Sequence, residues 1–290
     1  MRFGRSVNVL VLCISALALI ATVCGIFSDN GPGEREFTTV FGQAVTLYGK
    51  GLYGNNTVGA VRQAVPQDIV TLVIGIPLLI ISLVMAGKGS LRGKIMLAGA
   101  LGYFLITYMM YTFMAMYNRL FLVYVSIMST GLFAFILTLL ELNIENISTA
   151  FDKKLPVRFI GGYLMFSAAI IGLLWLKRCL PTLIDGSVPP EVELGTTLPV
   201  QAFDLAFFLP GTFLSGLLIV KKKPSGFLLA PVAAVSSALI MTALLSKGIS
   251  MQLAGTPGTL PLMVMTSLFA LLAIVSVVVT LKKVIYGNNR

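Results

Sequence analysis

The chain has 290 residues, 57% of them hydrophobic and only 11% charged, with a mean hydropathy of +0.94. An ordinary soluble domain is about one quarter charged, so water is excluded as the main solvent of this fold. The net charge of +10 comes from Lys and Arg at the ends of apolar runs, not from one basic soluble face, which argues against nucleic acid as a partner; the absence of His removes the commonest zinc ligand, the usual haem ligand and the easiest general base.

In chain order, Arg2 and Arg5 precede an apolar run at 7–27. It is too long for a signal peptide and lacks a small-residue cleavage site, so it is read as the first membrane span. The segment 28–66 carries short β-prone runs, 37–41, 44–48 and 51–53, separated by Gly-rich turns, and is expected to form a small extracytoplasmic β-meander or pair of hairpins. Further spans are predicted at 69–87, 95–117, 120–140, 159–176, 200–220, 226–246 and 260–281. Between the fourth and fifth, 141–156 places Leu140, Ile144, Ile147, Phe151 and Leu155 at helical spacing opposite Glu145, Asn146, Thr149, Asp152 and Lys153, which predicts a cytoplasmic amphipathic helix. The segment 180–199, with Pro181, Pro189, Pro190, Asp185, Glu191 and Glu193, reads as an irregular outer strap.

A cytoplasmic N-terminus puts 14 of the 21 basic residues on the cytoplasmic side, in short connections such as Lys88 to Lys94 and Lys221 to Lys223. This positive-inside bias orients an all-α transmembrane bundle of eight spans with both termini cytoplasmic. Residues 1–158 and 159–290 then form two four-span halves of like layout, supported by Asp68 and Gly75 recurring as Asp204 and Gly211, each 136 residues later. Four spans is an even number, so the halves would be related by an axis along the membrane normal.

The runs Leu198-Pro199-Val200-Gln201-Ala202-Phe203-Asp204-Leu205, Leu209-Pro210, Lys221-Lys222-Lys223-Pro224-Ser225-Gly226-Phe227-Leu228-Leu229-Ala230-Pro231 and Leu47-Tyr48-Gly49-Lys50-Gly51-Leu52-Tyr53, with the span opening at Gln67-Asp68, resemble a group of prokaryotic polytopic membrane proteins of about eight spans with no assigned activity. The resemblance implies this architecture and a prokaryotic plasma membrane, and lends no catalytic residue.

Ionisable groups within a membrane are pointers to function, and the deep interior of the predicted spans holds none. Asp68 and Asp204 sit where two spans begin. There they either cap free N–H groups at the positive end of the helix dipole, or pair with Arg119, Lys177 or Arg178 as a polar vestibule. Tyr103, Tyr108 and Tyr111 on the third span need hydrogen-bond partners when buried, from an interhelical network or a ligand pocket. Gly75 with Pro77, and Pro210 with Gly211, are helix-break candidates in corresponding spans; a simple proline kink competes with a cation- or ligand-binding break. Met109, Met110, Met114 and Met116 lack a soft-ligand entry cluster for copper, and no motif implies a metal, cofactor or catalytic set. Cys24 and Cys179 fall near one surface and could bridge. An intramembrane enzyme, whose catalysis would have to run on Asp, Tyr and Arg alone, comes third; two readings lead. One is transport or binding of a small molecule or lipid through an outward cavity lined by Tyr108, Tyr111, Asp68 and Asp204. The other is a scaffold or homo-oligomer meeting a membrane partner through its outer β-rich segment.

Overall fold

A computed structural model of the chain describes residues 4–142, 144 and 146–285. Arg2, Glu145 and Arg290, used in the charge and amphipathicity readings, lie outside them. Among the described residues, eight helical rods are long and apolar enough to span a membrane. They are α1 (Gly4–Phe27); α2 (Val58–Val70) continued by α3 (Ile76–Gly87); α4 (Leu91–Met114); α5 (Phe121–Leu140); α6 (Val157–Asp185); the short α7 (Pro199–Phe203) continued by α8 (Leu209–Val220); α9 (Pro224–Leu253); and α10 (Thr259–Lys282). Most apolar side chains on their outer faces are exposed, such as Leu122, Val264 and Val73, as expected where lipid is the solvent.

Several rods outrun the apolar stretches that predicted them. α2 begins at Val58, where Thr57 caps it by accepting from the Ala60 N–H at 3.1 Å. α6 runs on to Asp185, so the first part of the 180–199 strap is helical, and α9 passes through Lys247 to Leu253. The charged residues that closed the predicted spans are tolerated because backbone hydrogen bonding, not side-chain polarity, sustains a helix once it is nucleated.

The rods α2–α3 and α7–α8 share one irregularity. A π turn occupies Thr71–Gly75 in the first and Asp204–Phe208 in the second. In each it closes with an i−5 bond from the residue just before a proline, Ile76 N–H to Thr71 O and Leu209 N–H to Asp204 O. Proline has no N–H and crowds the preceding turn, and widening that turn by one residue absorbs the conflict. The expected helix breaks at Gly75/Pro77 and Pro210/Gly211 are therefore continuous helix, with Pro77, Pro210 and Gly211 exposed and only Gly75 buried.

The correspondence continues past the prolines at an offset of 133 residues, not 136. Pro77 answers to Pro210, and buried Ser82 to buried Ser215. The turns after α3 and α8 carry the same bonds, Gly89 N–H to Ala86 O and Lys222 N–H to Ile219 O, each with its donor residue at positive φ (82° and 53°). A Cβ on Gly93 would press on the Ala86 nitrogen, and one on Gly226 on the Ile219 nitrogen. At this register Asp68 faces Gln201, and Asp204 faces Thr71, so the two acids are not equivalent positions. Because a left-handed lysine costs about 1 kcal/mol more than glycine, Lys222→Gly is expected to raise the thermal unfolding midpoint in detergent, whereas Gly89→Ala should lower it.

Helices α4 and α9 cross at the centre of the bundle. Gly99 and Gly102 of α4 lie against Val235 and Ser236 of α9, and Ser236 Oγ donates to Gly99 O at 2.8 Å. α6 and α8 approach still more closely, Gly161 against Gly216.

The segment 28–57 holds one antiparallel hairpin, β1 (Arg35–Thr38) with β2 (Ala44–Leu47), in the register Arg35 to Leu47. The run 51–53 is a turn, so the meander reduces to a single hairpin with an isolated bridge from Leu47 to Thr57. The predicted amphipathic helix is also corrected: among the described residues of 141–156, only Ile147–Ala150 is helical, as one 3-10 turn. Of its predicted apolar face Ile147, Phe151 and Leu155 are nonetheless buried, while Leu140 and Ile144 are exposed; Phe151 bridges to Val284 after α10 and folds the segment onto the bundle end. There Asp152 accepts from the Lys154 N–H at 2.8 Å and from Lys283 Nζ at 3.1 Å, which hold its carboxyl below the usual range.

Candidate functional site

Asp68 lies almost three turns, roughly 15 Å, inside α2 and is 2% exposed. It is not a first-turn cap. The Tyr53 hydroxyl, from the connection after the hairpin, donates to Oδ2 at 2.6 Å, and the Tyr111 hydroxyl on α4 donates to Oδ1 at 2.8 Å with the Ala64 carbonyl also within 3.1 Å. On the α1 side, a Cβ at Gly25 would stand 2.0 Å from Oδ2, so only glycine leaves room for the carboxyl.

Below this acid runs a closed ring of donors. Gln67 Nε2 donates to the Tyr103 hydroxyl at 2.8 Å, Tyr103 lies 2.7 Å from Thr71 Oγ1, and Thr71 Oγ1 donates to Gln67 O at 2.8 Å. Since the Thr71 proton is committed to Gln67 O, Tyr103 donates to Thr71. Every hydroxyl in the ring is satisfied, as burial requires.

Around both groups the rings of Phe104, Tyr108, Tyr111, Tyr124 and Tyr53 pack stacked or tilted, with neighbouring centroids 5.3–6.3 Å apart. The hydroxyls of Tyr108 and Tyr124, 1% and 2% exposed, have no hydrogen-bond partner among the described residues.

Asp204 opens the π turn of the other rod and accepts from Trp175 Nε1 at 2.8 Å. Half-buried Lys247 on α9 lies within electrostatic range of both acids but forms no direct ion pair with either among the described residues. Its neighbour Ser246 donates to Pro66 O of α2 at 3.3 Å, which brings this turn of α9 against the rod that carries Asp68. The interior thus contains ionisable groups after all.

Of the residues singled out from sequence, Asp68, Tyr103, Tyr108 and Tyr111 form one cluster, and Asp204 joins it only through Lys247. Arg119 is exposed, and Arg178 is paired with Glu191, so neither completes a vestibule. The tyrosines are packed among rings and do not line an open polar cavity. An apolar groove instead opens between α6 and α10, walled by Phe166, Ile170, Leu260 and Val264. Cys13, Cys24 and Cys179 are free thiols.

Tyr53, Gly25, Gln67, Thr71, Trp175 and Lys247 were not legible as site residues. Lys247 carried one usable signal: the apolar run resumes after it, with Ile249, Met251 and Leu253. The chain matches no family model, no curated protein and no solved structure, so its own geometry is what speaks for function.

Proposed function

We propose that the chain is a multi-pass protein of a prokaryotic plasma membrane, with cytoplasmic termini and two four-span halves, that binds or moves a small polar molecule or lipid at the Asp68–Lys247–Asp204 cluster. One observation supports the reading: Asp68, on a rod with a π turn, is buried in the bundle with the Tyr53 and Tyr111 hydroxyls donating to its two oxygens, and the field of Lys247 reaches it without a direct ion pair. Charge held at this depth is costly unless it serves a pathway or site. The 133-residue correspondence supports the two halves, and the basic turns after α3 and α8 support the orientation. The hairpin would then lie outside.

Thermal unfolding of the purified chain against a panel of amino acids, amines and lipid headgroups tests the site. A stabilising ligand should lose its effect in Lys247→Met; equal stabilisation of both proteins removes the reading. In a cysteine-free background, a cysteine at position 40 should react with an impermeant maleimide on intact cells, and one at position 222 only after lysis.

A second reading, docking of a membrane partner, has its own support. The hairpin leaves Phe37, Val40 and Phe41 48%, 82% and 44% exposed, a patch rimmed by polar residues.

A further inference from the structure

Charge balance at the cluster is incomplete. Around Asp68 stand Cys24 and Gly25 of α1, Tyr53 of the connection, Tyr103, Tyr108 and Tyr111 of α4, Tyr124 of α5, and Lys247 of α9. Asp204 has Trp175 and the same lysine. Arg62 and Arg119, the nearest guanidinium groups along their segments, are exposed. Asp204 and Lys247 are half-buried, whereas Asp68 is buried with no direct cationic partner among the described residues, so its ionised form is a charge in a region of low dielectric, where an uncompensated ion costs several kcal/mol.

The geometry offers a specific remedy. Asp68 already receives one hydroxyl proton on each oxygen, so an alkali ion would have to strip those bonds to find enough ligands. A proton needs one lone pair, and the neutral acid it makes needs one acceptor. The Tyr108 hydroxyl is buried without a hydrogen-bond partner among the described residues, and its ring packs against those of Tyr111 and Tyr124 at centroid distances of 5.7 and 6.1 Å.

Resting on the site assignment above, we propose that Asp68 is a proton-exchange site: the neutral carboxyl donates toward the Tyr108 hydroxyl, and the ionised carboxylate is held by the Tyr53 and Tyr111 hydroxyls, with the field of Lys247 behind them. On release the carboxyl O–H bond breaks, the electron pair stays on the carboxylate, and the proton passes to water. No redox partner is involved.

Infrared difference spectroscopy of the full chain in lipid nanodiscs, titrated with pH, tests this. The expected result is a carboxylic-acid carbonyl band that disappears as pH rises and shifts in D2O. It should be absent in Asp68→Asn, present in Asp204→Asn, and displaced in frequency in Tyr108→Phe. A band unchanged in Asp68→Asn, or no titrating band while the protein stays folded, overturns the proposal. Loss of the band on adding sodium chloride but not choline chloride would assign an alkali cation and overturn it equally. Should Asp68→Asn not fold, Tyr53→Phe removes one donor and must shift the titration; an unmoved midpoint counts against Asp68. The band in a protein that no panel ligand stabilises would keep the proton site and remove the small-molecule reading.

Discussion

Gly161→Leu is expected to separate α6 from α8 and to destabilise the bundle by about 3 kcal/mol, the upper end for overpacking. A Cβ at position 161 would lie 2.5 Å from Gly216 O and 2.5 Å from Val220 Cγ2, and one at position 216 would lie 2.7 Å from Gly161 O. The two backbones touch, and backbone cannot yield as a flexible side chain can. In lipid there is little hydrophobic drive between helices, so close approach of small residues is a main source of cohesion. The adjacent Gly162 supplies the control, because nothing lies within 4 Å of its Cβ position. Unfolding in a denaturing detergent should separate the two: Gly161→Leu melts early, and Gly162→Leu behaves as wild type. Similar behaviour of both variants would mean that α6 is rotated from the orientation described.

Asp68→Ala is expected to cost about 3 kcal/mol, because it removes the acceptor of two buried tyrosine hydroxyls at once and opens a void beside them. Tyr111 keeps the Ala64 carbonyl, but Tyr53 is left with no acceptor among its present partners. A sharper consequence concerns Gly25. Its Cβ position is 2.0 Å from Asp68 Oδ2 and 2.8 Å from the Tyr53 hydroxyl, so Gly25→Ala should be strongly destabilising alone, yet mild when combined with Asp68→Ala and Tyr53→Phe. Such non-additivity is the mark of residues in contact. Thermal melts of the single and combined variants read it directly, and simple addition of the losses would place α1 elsewhere.

The eight rods long and apolar enough to cross a membrane were legible because an apolar run of about 20 residues has few alternatives to a spanning helix. Their ends were not. Span boundaries drawn at Lys247, Asp68 and Lys177 stopped short, since a charged side chain is costly in lipid but not to the helix that bears it. The hairpin was half legible: the Gly42 turn between two β-prone runs is local chemistry, whereas the run 51–53 failed to pair because its backbone is used in turns that set Tyr53 over Asp68. Helical spacing at 141–156 marked Ile147, Phe151 and Leu155, which are buried, but also Leu140 and Ile144, which are exposed, and the burial comes with a bridge to Val284 rather than from a helix.

The amino-acid order by itself determined the solvent, the number of rods and the tyrosine-rich character of α4, since each depends on composition within one helix length. Two aspartates suggested a likeness between the rods at an offset of 136, whereas their prolines and the turns that follow them match at 133. Only the tertiary structure decided which polar groups meet. Tyr53, Gly25, Asp68 and Tyr111 come from four separate segments, and Lys247 joins them from a fifth. Helix packing sets the rotation of each rod to within the width of a side chain, and no pattern along a single helix encodes that rotation relative to its neighbours.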